Sequence, residues 1–215
     1  MNVEDIHWYG HDSFRIEDAG RQVYIDPWKI PAGAPKADLV LVTHDHYDHY
    51  SEDDVARLST ADTTIIGPPD VAEKVASGIA KSQGAEAVFI EAGRTVEAAG
   101  LKVTAVPAYN VGKKFHPKSS GWVGYLLTLS DGTTLYHAGD TDHVPEMDSL
   151  RVDVALLPVS GTYVMTAAEA VEAANRMKPK VAIPMHYGDI VGSAADAETF
   201  AEGFTGQTVI KQAET

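Results

Sequence analysis

Three histidines and two aspartates lie within a six-residue segment, 44–49, which follows the apolar run Leu39–Val42 after one intervening residue. An uninterrupted apolar run of this length is typical of a strand that is buried on both faces of a sheet. The polar segment therefore begins at the end of a rigid central strand, and we interpret it as a metal-binding loop. The alternative is a polar surface loop in which histidine happens to be frequent.

The chemistry of this loop suits metal ions. His44 and His46 are spaced so that both can face one ion, while Asp48 and His49 can face another. Imidazole and carboxylate ligands together suit zinc, manganese or iron. The chain has no cysteine, so any metal site in it must be built from histidine, aspartate and glutamate.

Two later apolar runs also end close to a candidate ligand. Asp140 follows the run 133–137 and the glycine at 139, which allows a close approach without a side-chain clash. His186 directly follows the run 181–185. Taken singly, a Gly-Asp pair is more often a turn, and a lone histidine is more often a packed or exposed residue. Together with the loop 44–49, they predict ligands at the ends of three central strands.

The order of elements predicts an α/β fold of two packed sheets with helices on their outer faces. No repeat or flexible linker interrupts the chain, so we expect residues 1–215 to form one domain. Helices are predicted to begin after Ser51, at Pro69, and after Thr166 and Ser193. The predicted strands are 6–9, 13–17, 22–25, 39–42, 63–66, 87–90, 95–98, 101–106, 122–129, 133–137, 154–157 and 181–185, with a further edge strand at 208–211.

The charge balance limits the partners. A formal net charge of −14 argues against nucleic acid or an anionic membrane, because both need clustered positive charge. No apolar stretch approaches the roughly 20 residues of a membrane span, and the first ten residues carry acidic rather than basic side chains. We therefore expect a cytoplasmic protein that acts on a small molecule, and the sequence does not indicate its oligomeric state.

A set of motifs in a fixed order resembles the metallo-β-lactamase superfamily. In chain order these motifs are His44-x-His46-x-Asp48-His49, Gly139-Asp140-Thr141 and His186. The segments 8–14 and 157–161 are similar to the small metal-dependent hydrolases of that superfamily, a branch that includes the ascorbate-6-phosphate lactonases. The resemblance covers about residues 8–188 and implies the αββα sandwich, in which two mixed β-sheets are flanked by helices.

The resemblance implies two divalent metal ions, zinc first, with manganese or iron as alternatives. The implied ligands are His44, His46 and His116 for the first ion, Asp48, His49 and His186 for the second, and Asp140 as the bridge. Many members carry the third histidine directly after a Pro-Ala-x tripeptide, where this chain has Asn110. His116 is the nearest imidazole and a better zinc ligand than an amide oxygen, and Asn110 remains the alternative.

Further residues are expected to support the site. Asp26 looks like the early aspartate of the superfamily, which braces the metal loop without binding metal. His11 and His143 are candidate proton donors, although structural hydrogen bonds would explain both. Candidate substrate contacts are Tyr109, Tyr163 and Tyr187. The loop 107–121 also carries Lys113, Lys114 and Lys118, which either meet an anionic substrate or are ordinary solvated lysines.

The resemblance implies a metal-dependent hydrolase in which a hydroxide shared by two ions attacks a carbonyl or phosphoryl centre, with Asp48 orienting it or moving a proton. The substrate would be a small lactone, amide or phosphoester. One alternative is a di-iron redox protein on the same fold, although such relatives usually carry a carboxylate where this chain has His46. Another is a metal-stabilised scaffold without catalysis.

Overall fold

The first six strands along the chain form one sheet and lie in it in sequence order. The computed structural model describes residues 2–215. The first three strands pair antiparallel, and the third to the sixth pair parallel. The strands are β1 (Ile6–Trp8), β2 (Phe14–Asp18), β3 (Arg21–Ile25), β4 (Leu39–Leu41), β5 (Thr64–Gly67) and β6 (Glu86–Phe89).

The next seven strands form a second mixed sheet. Its strands are β7 (Thr95–Ala98), β8 (Leu101–Pro107), β9 (Val123–Thr128), β10 (Thr134–His137), β11 (Val154–Pro158), β12 (Val181–Met185) and β13 (Gln207–Thr208). They also lie in sequence order: β7 to β10 pair antiparallel, and β10 to β13 pair parallel. The predicted edge strand 208–211 is wrong in its extent, because regular pairing ends at Thr208 and only the Val209 N–H still bonds to β12.

In the part of the chain that the structure describes, five α-helices cover the sheets: α1 (Glu52–Leu58), α2 (Pro69–Ser77), α3 (Ile79–Gln83), α4 (Ala167–Met177) and α5 (Ala194–Gly203). The predicted caps are present, since Ser51 accepts from the backbone of Asp54 and Thr166 forms a capping box with Glu169. Helix α3 is not predicted, because Gly78 ends α2 with a non-helical backbone and the chain then resumes a helix. Within residues 2–215, none of these helices has the length and apolar character needed to cross a bilayer.

The apolar run before the histidine loop is explained by two core layers. Leu39 and Leu41 point into the core between the two sheets. Val40 and Val42 point the other way and pack in a second cluster with residues of α1 and α2. The hydroxyl of Tyr125, on β9, donates to the backbone oxygen of Val42 at 2.7 Å and ties the second sheet to the end of β4. The predicted fold of two mixed sheets flanked by helices is confirmed, and β4 is a central strand.

Candidate metal centre

Loops that follow strands of both sheets bring the predicted ligands close to one another, although Asp48 lies outside the groups of described residues whose ligand atoms are all within 4.8 Å. The loop after β4 carries four of them, and the segments after β8, β10 and β12 carry one each. These residues are, in chain order, His44, His46, Asp48, His49, His116, Asp140 and His186. They come from distant parts of the chain, so the site forms only when both sheets are packed.

Three imidazoles form the first group. The ligand atoms of His44, His46 and His116 lie within 4.8 Å of one another, and His44 Nε2 is 3.0 Å from His46 Nδ1. The indole ring of Trp122 lies against all three rings, with its centroid 4.9–5.5 Å from theirs. Three converging imidazole nitrogens with an aromatic wall are a donor set that zinc accepts.

The carboxylate of Asp140 lies between this first group and a second one. Its Oδ2 is 3.2 Å from His116 Nε2 and 4.0 Å from His44 Nε2. Its Oδ1 is 3.4 Å from His49 Nε2 and 3.3 Å from His186 Nε2. One oxygen therefore faces each group of imidazoles, as a carboxylate that bridges two ions would do.

Gly139 allows Asp140 to reach this position. Its φ of +63° lies in the left-handed region, and a Cβ placed there would be 3.1 Å from the Thr43 side chain. A larger residue would be strained by both effects. The close contact between the ends of β4 and β10 therefore depends on glycine.

The second group consists of the imidazoles of His49 and His186, and their charges and that of Asp140 depend on one another. Burial disfavours the charged forms of His49 and His186. The negative charges of Asp140 and of further aspartates outweigh burial, so they raise the pKa of His49 well above its usual value and the pKa of His186 to about 9. Burial likewise opposes ionisation of Asp140, yet the charges of His186 and His49 hold its pKa well below the usual range. Without metal, protons on the imidazoles compensate the buried carboxylate.

The residues present fit metal ions. Buried polar atoms are nearly always hydrogen-bonded. Within residues 2–215, His49 Nε2, His116 Nε2 and Asp140 Oδ1 are buried and make no hydrogen bond of good geometry, although imidazole nitrogen and carboxylate oxygen approach to 3.2–3.4 Å. Burial, with the neighbouring His49, lowers the pKa of His44, so its imidazole is neutral at pH 7. Neutral imidazole and ionised carboxylate are the forms that bind metal. A pair of cations would satisfy all of these atoms.

Hydrogen bonds to the second ring nitrogens orient four of the imidazoles, those of His44, His49, His116 and His186. Asp26 is fully buried and accepts from the Thr43 backbone N–H at 2.7 Å, from the Thr43 hydroxyl at 2.7 Å, and from His49 Nδ1 at 2.8 Å. Ser160 Oγ lies 2.9 Å from His186 Nδ1. Asp26 thus contacts the loop in the way expected of a brace. Ser160 is absent from the sequence-based predictions because a serine after a strand carries no distinctive signal.

The structure brings His116, and not Asn110, next to Asp140. The Asn110 side chain accepts from the His116 backbone N–H at 3.0 Å and donates to Asp142 and to the Tyr163 backbone oxygen. The Asn110 N–H also donates to the His116 backbone oxygen at 2.7 Å. Asn110 therefore joins the two ends of the excursion 110–116 by hydrogen bonds, and this folded loop places the His116 imidazole in the site.

Three predicted site residues do not line the cavity beside the metal ligands. His143 pairs with Asp148 at 2.7 Å, which accounts for it as a structural residue. The Tyr109 hydroxyl donates to Glu146, and Tyr187 packs against Trp8 with 5.2 Å between ring centroids. Tyr163 does line the cavity.

Two lysines of the loop 107–121 are also held within the protein. Lys113 bonds to Asp142 and to the Val164 backbone oxygen. Lys118 bonds to Glu146 at 2.9 Å and lies over the ring of Tyr109. Within the described residues 2–215, neither of them lines the cavity, so the expectation that they meet an anionic substrate gains no support.

The turn between β1 and β2 contributes residues that sequence reasoning missed or left undecided. His11 is fully buried, lies 3.3 Å from Asp48 and packs against the ring of His186. Its neighbour Asp12 is also fully buried in the same cluster. In the sequence, Gly10-His11-Asp12-Ser13 belongs to the segment 8–14 that resembles small metal-dependent hydrolases, but only the fold shows that it points inwards.

Within residues 2–215, eight residues other than glycine have a positive φ, and four of them lie at this site. His11, Asp26, Tyr163 and His186 all have φ between +48° and +69°, although none is glycine. Such conformations cost about 1–3 kcal/mol each and persist only where the surroundings enforce them. Their grouping around the ligands indicates a site that is built for geometry at the expense of stability.

The comparisons with known proteins agree with this geometry. Residues 5–186 match a family model described as a β-lactamase superfamily domain. The chain belongs to the metallo-β-lactamase superfamily. A relative from Nitratidesulfovibrio vulgaris named a metal-dependent hydrolase is 36% identical over 197 residues, which is 85% of this chain and 80% of the relative.

Further relatives of this superfamily member are similar over nearly their whole length. A metal-dependent hydrolase from Thermoplasma acidophilum is 34% identical over 206 residues, which is 91% of this chain and 88% of the relative. A solved structure from Parabacteroides distasonis superposes with a TM-score of 0.82 at 31% identity, over 97% of this chain and 93% of that one. The resemblance predicted from the motifs is confirmed at the level of the superfamily and its fold.

Proposed function

We propose that this protein is a hydrolase that acts through two metal ions on the carbonyl or phosphoryl centre of a small substrate. The observation that carries the proposal is the position of Asp140, whose two oxygens face the imidazoles of two different groups. The naming of relatives as metal-dependent hydrolases supports it. The substrate classes that we expect are lactones, amides and phosphoesters.

The proposed ligands are His44, His46 and His116 for the first ion, Asp48, His49 and His186 for the second, and Asp140 for both. Bound there, divalent ions would supply a hydroxide nucleophile at neutral pH and polarise the oxygen of the attacked group. Zinc is our first expectation because imidazole predominates, and manganese and iron suit the carboxylates of the second group.

Asp48 is suited to move a proton. It lines the cavity, and its Oδ2 lies 3.3 Å from His11 Nε2. Burial opposes its ionisation, but the contact with His11 and the charge of His49 outweigh burial and lower the pKa of the Asp48 carboxyl. It is therefore ionised at pH 7 and can accept a proton from the attacking water at Oδ and pass it to a leaving group.

The cavity favours a substrate with an apolar group. It has a volume of about 330 Å³ and opens beside His46, His116 and Asp140. Its remaining lining includes Tyr47, Phe115, Tyr163 and Ile190, each at least 36% exposed. Large exposed apolar side chains that converge on a polar centre are typical of a ligand site. We infer that they contact the part of the substrate that is not hydrolysed.

The experiment is a hydrolase screen across phosphodiesters, lactones, thioesters and β-lactams, with zinc, manganese and iron supplied separately to metal-free protein. His44→Ala should lose both bound metal and turnover. The matched control is His7→Ala, because His7 pairs with Glu214 outside the ligand cluster and should be dispensable. Absence of hydrolysis with every metal, or equal turnover in the two variants, would refute the proposal.

The apolar rim has its own test. Phe115→Ala should raise KM for aryl or long acyl substrates more than for short ones, since it removes contact area from the cavity mouth. Phe89→Ala is the control, because Phe89 is similarly exposed on β6 and does not line this cavity. Equal effects of the two substitutions on KM would argue against the rim.

The same preparations separate the alternative functions. A di-iron redox protein would retain iron preferentially, change its visible spectrum on reduction and hydrolyse none of the substrates. A scaffold without catalysis would bind metal and gain thermal stability from it but show no turnover.

A further inference from the structure

Asp12 is a buried carboxylate to which the described residues 2–215 donate no hydrogen bond. It lies in the turn between β1 and β2, its side chain has no exposed surface, and neither Oδ1 nor Oδ2 has a hydrogen-bond partner. Burying an ionised carboxylate without compensation is strongly unfavourable. This position therefore requires a proton on Asp12 or a positive charge beside it, which either protonated imidazoles or a metal ion can supply.

Three imidazole nitrogens surround the Asp12 carboxylate. Its Oδ2 lies 3.6 Å from His49 Nε2, 3.7 Å from His11 Nε2 and 3.9 Å from His186 Nε2. These separations exceed the 2.7–3.2 Å of good hydrogen bonds. They suit atoms that share an ion, because two ligands each about 2.1 Å from the same metal lie about 3–4 Å apart. His49 and His186 are the imidazoles that also face Asp140 Oδ1.

We propose that Asp12 is a further ligand of the second metal ion. This inference rests on the proposed metal binding. It gives a ligand role to a residue for which the sequence predicted none, although Asp12 lies within the segment 8–14. The cluster around Asp12 holds the imidazoles of His11, His49 and His186. With Asp12, three aspartates contribute to the second ion, whereas three imidazoles hold the first.

The additional carboxylate changes the metal preference of the second site. Oxygen-rich sites with more than four ligands suit Mn²⁺ or Fe²⁺ better than tetrahedral Zn²⁺, which prefers nitrogen and sulfur donors. The two positions are therefore not equivalent. The first takes Zn²⁺. The second takes Mn²⁺ or Fe²⁺ more readily than it would without Asp12, when it would have only three ligands and the bridging carboxylate.

A purely structural role for Asp12 leads to different expectations. Asp12 could instead only hold the turn or orient imidazoles. Its replacement would then destabilise the metal-free protein, and it would weaken metal binding by no more than the roughly 10–100-fold that is typical when a residue hydrogen-bonded to a metal ligand is removed. If it is a ligand, the main effect of Asp12→Asn should appear in metal binding, beyond any change in the stability of the metal-free protein. The same substitution should then weaken Mn²⁺ binding at one site by more than about 100-fold.

The matched control is Asp18→Asn. Asp18 is a buried aspartate on β2 whose carboxylate accepts from the Ser130 N–H and hydroxyl and contacts Arg21. Because its oxygens are already satisfied by the protein, the control should lower the stability of the metal-free protein and leave metal affinity unchanged.

The experiment titrates metal-free wild type and both variants with Mn²⁺ and with Zn²⁺ by calorimetry, and follows bound Mn²⁺ by electron paramagnetic resonance. Urea unfolding of the metal-free proteins supplies the stability. Asp12→Ser replaces Asp12→Asn if the amide does not fold. A loss of Mn²⁺ affinity above about 100-fold in the Asp12 variant alone supports the assignment, and any smaller loss overturns it. Wild type that binds neither metal would instead refute the proposed function.

Discussion

Replacing Asp26 by asparagine tests how the protein prepares His49 for metal. An ionised carboxylate can only accept, so the 2.8 Å contact with Asp26 places the ring proton of His49 on Nδ1. Nε2, which faces Asp140, is then the nitrogen whose lone pair binds metal once its proton is displaced. In Asp26→Asn the carboxamide can still accept from the Thr43 N–H, but its NH₂ group then faces His49 Nδ1. The imidazole must move its proton to Nε2 or turn away, and either change removes the metal-binding lone pair.

The magnitude has two parts. The protein loses one charge-assisted hydrogen bond in a fully buried position, which costs about 1.5–3 kcal/mol of the free energy of unfolding. The metal affinity of the second site should fall about 10–100-fold, as is typical when the partner of a ligating histidine is removed. That range corresponds to about 1.4–2.7 kcal/mol of binding free energy.

The assay compares metal binding by calorimetry with urea unfolding of the metal-free protein. Asp153→Asn is the matched control, because Asp153 also accepts from the backbone N–H and the hydroxyl of one threonine, Thr134, but it pairs with Lys180 and not with a histidine of the cluster. The control should lower stability and leave metal affinity unchanged. If Asp26→Asn binds metal as tightly as wild type, or if both variants lose affinity equally, the brace is the wrong explanation.

The remaining predictions concern the bridge, the third ligand and the contact between the sheets. Asp140→Ala should lose about one metal equivalent by elemental analysis while circular dichroism stays native, because the negative charge between two dications is removed; two retained equivalents would contradict the bridge. His116→Ala should release the first ion. Asn110→Ala should mainly lower the free energy of unfolding by about 1–3 kcal/mol, because the hydrogen bonds of its side chain within the loop are lost. If Asn110→Ala lost more metal than His116→Ala, the Asn110 amide would be the ligand. Tyr125→Phe should cost about 1–3 kcal/mol in urea unfolding, because the buried Val42 carbonyl loses its 2.7 Å partner, and an unchanged midpoint would show that this contact contributes nothing.

Local patterns along the chain were sufficient to predict most elements of the fold. The run Leu39–Val42 predicts a strand buried on both faces, and both of its faces are covered. The Thr166–Glu169 pair predicts the start of α4, and the capping box is present. These features depend on residues within one or two turns of each other, so the sequence alone carries them. Helix α3 was missed because a helix of five residues after a glycine has too few positions to show a period.

The sequence also determined which side chains could bind metal, since the histidine loop, Asp140 and His186 each follow a strand. Only the tertiary structure decided how they are shared: Asp140 lies between two groups, Asn110 folds the loop that delivers His116, and Asp12 points into the cluster. These outcomes depend on distances between residues far apart in the chain. Such distances arise when the two sheets pack and both ends of the excursion 110–116 are hydrogen-bonded, and no local pattern encodes them.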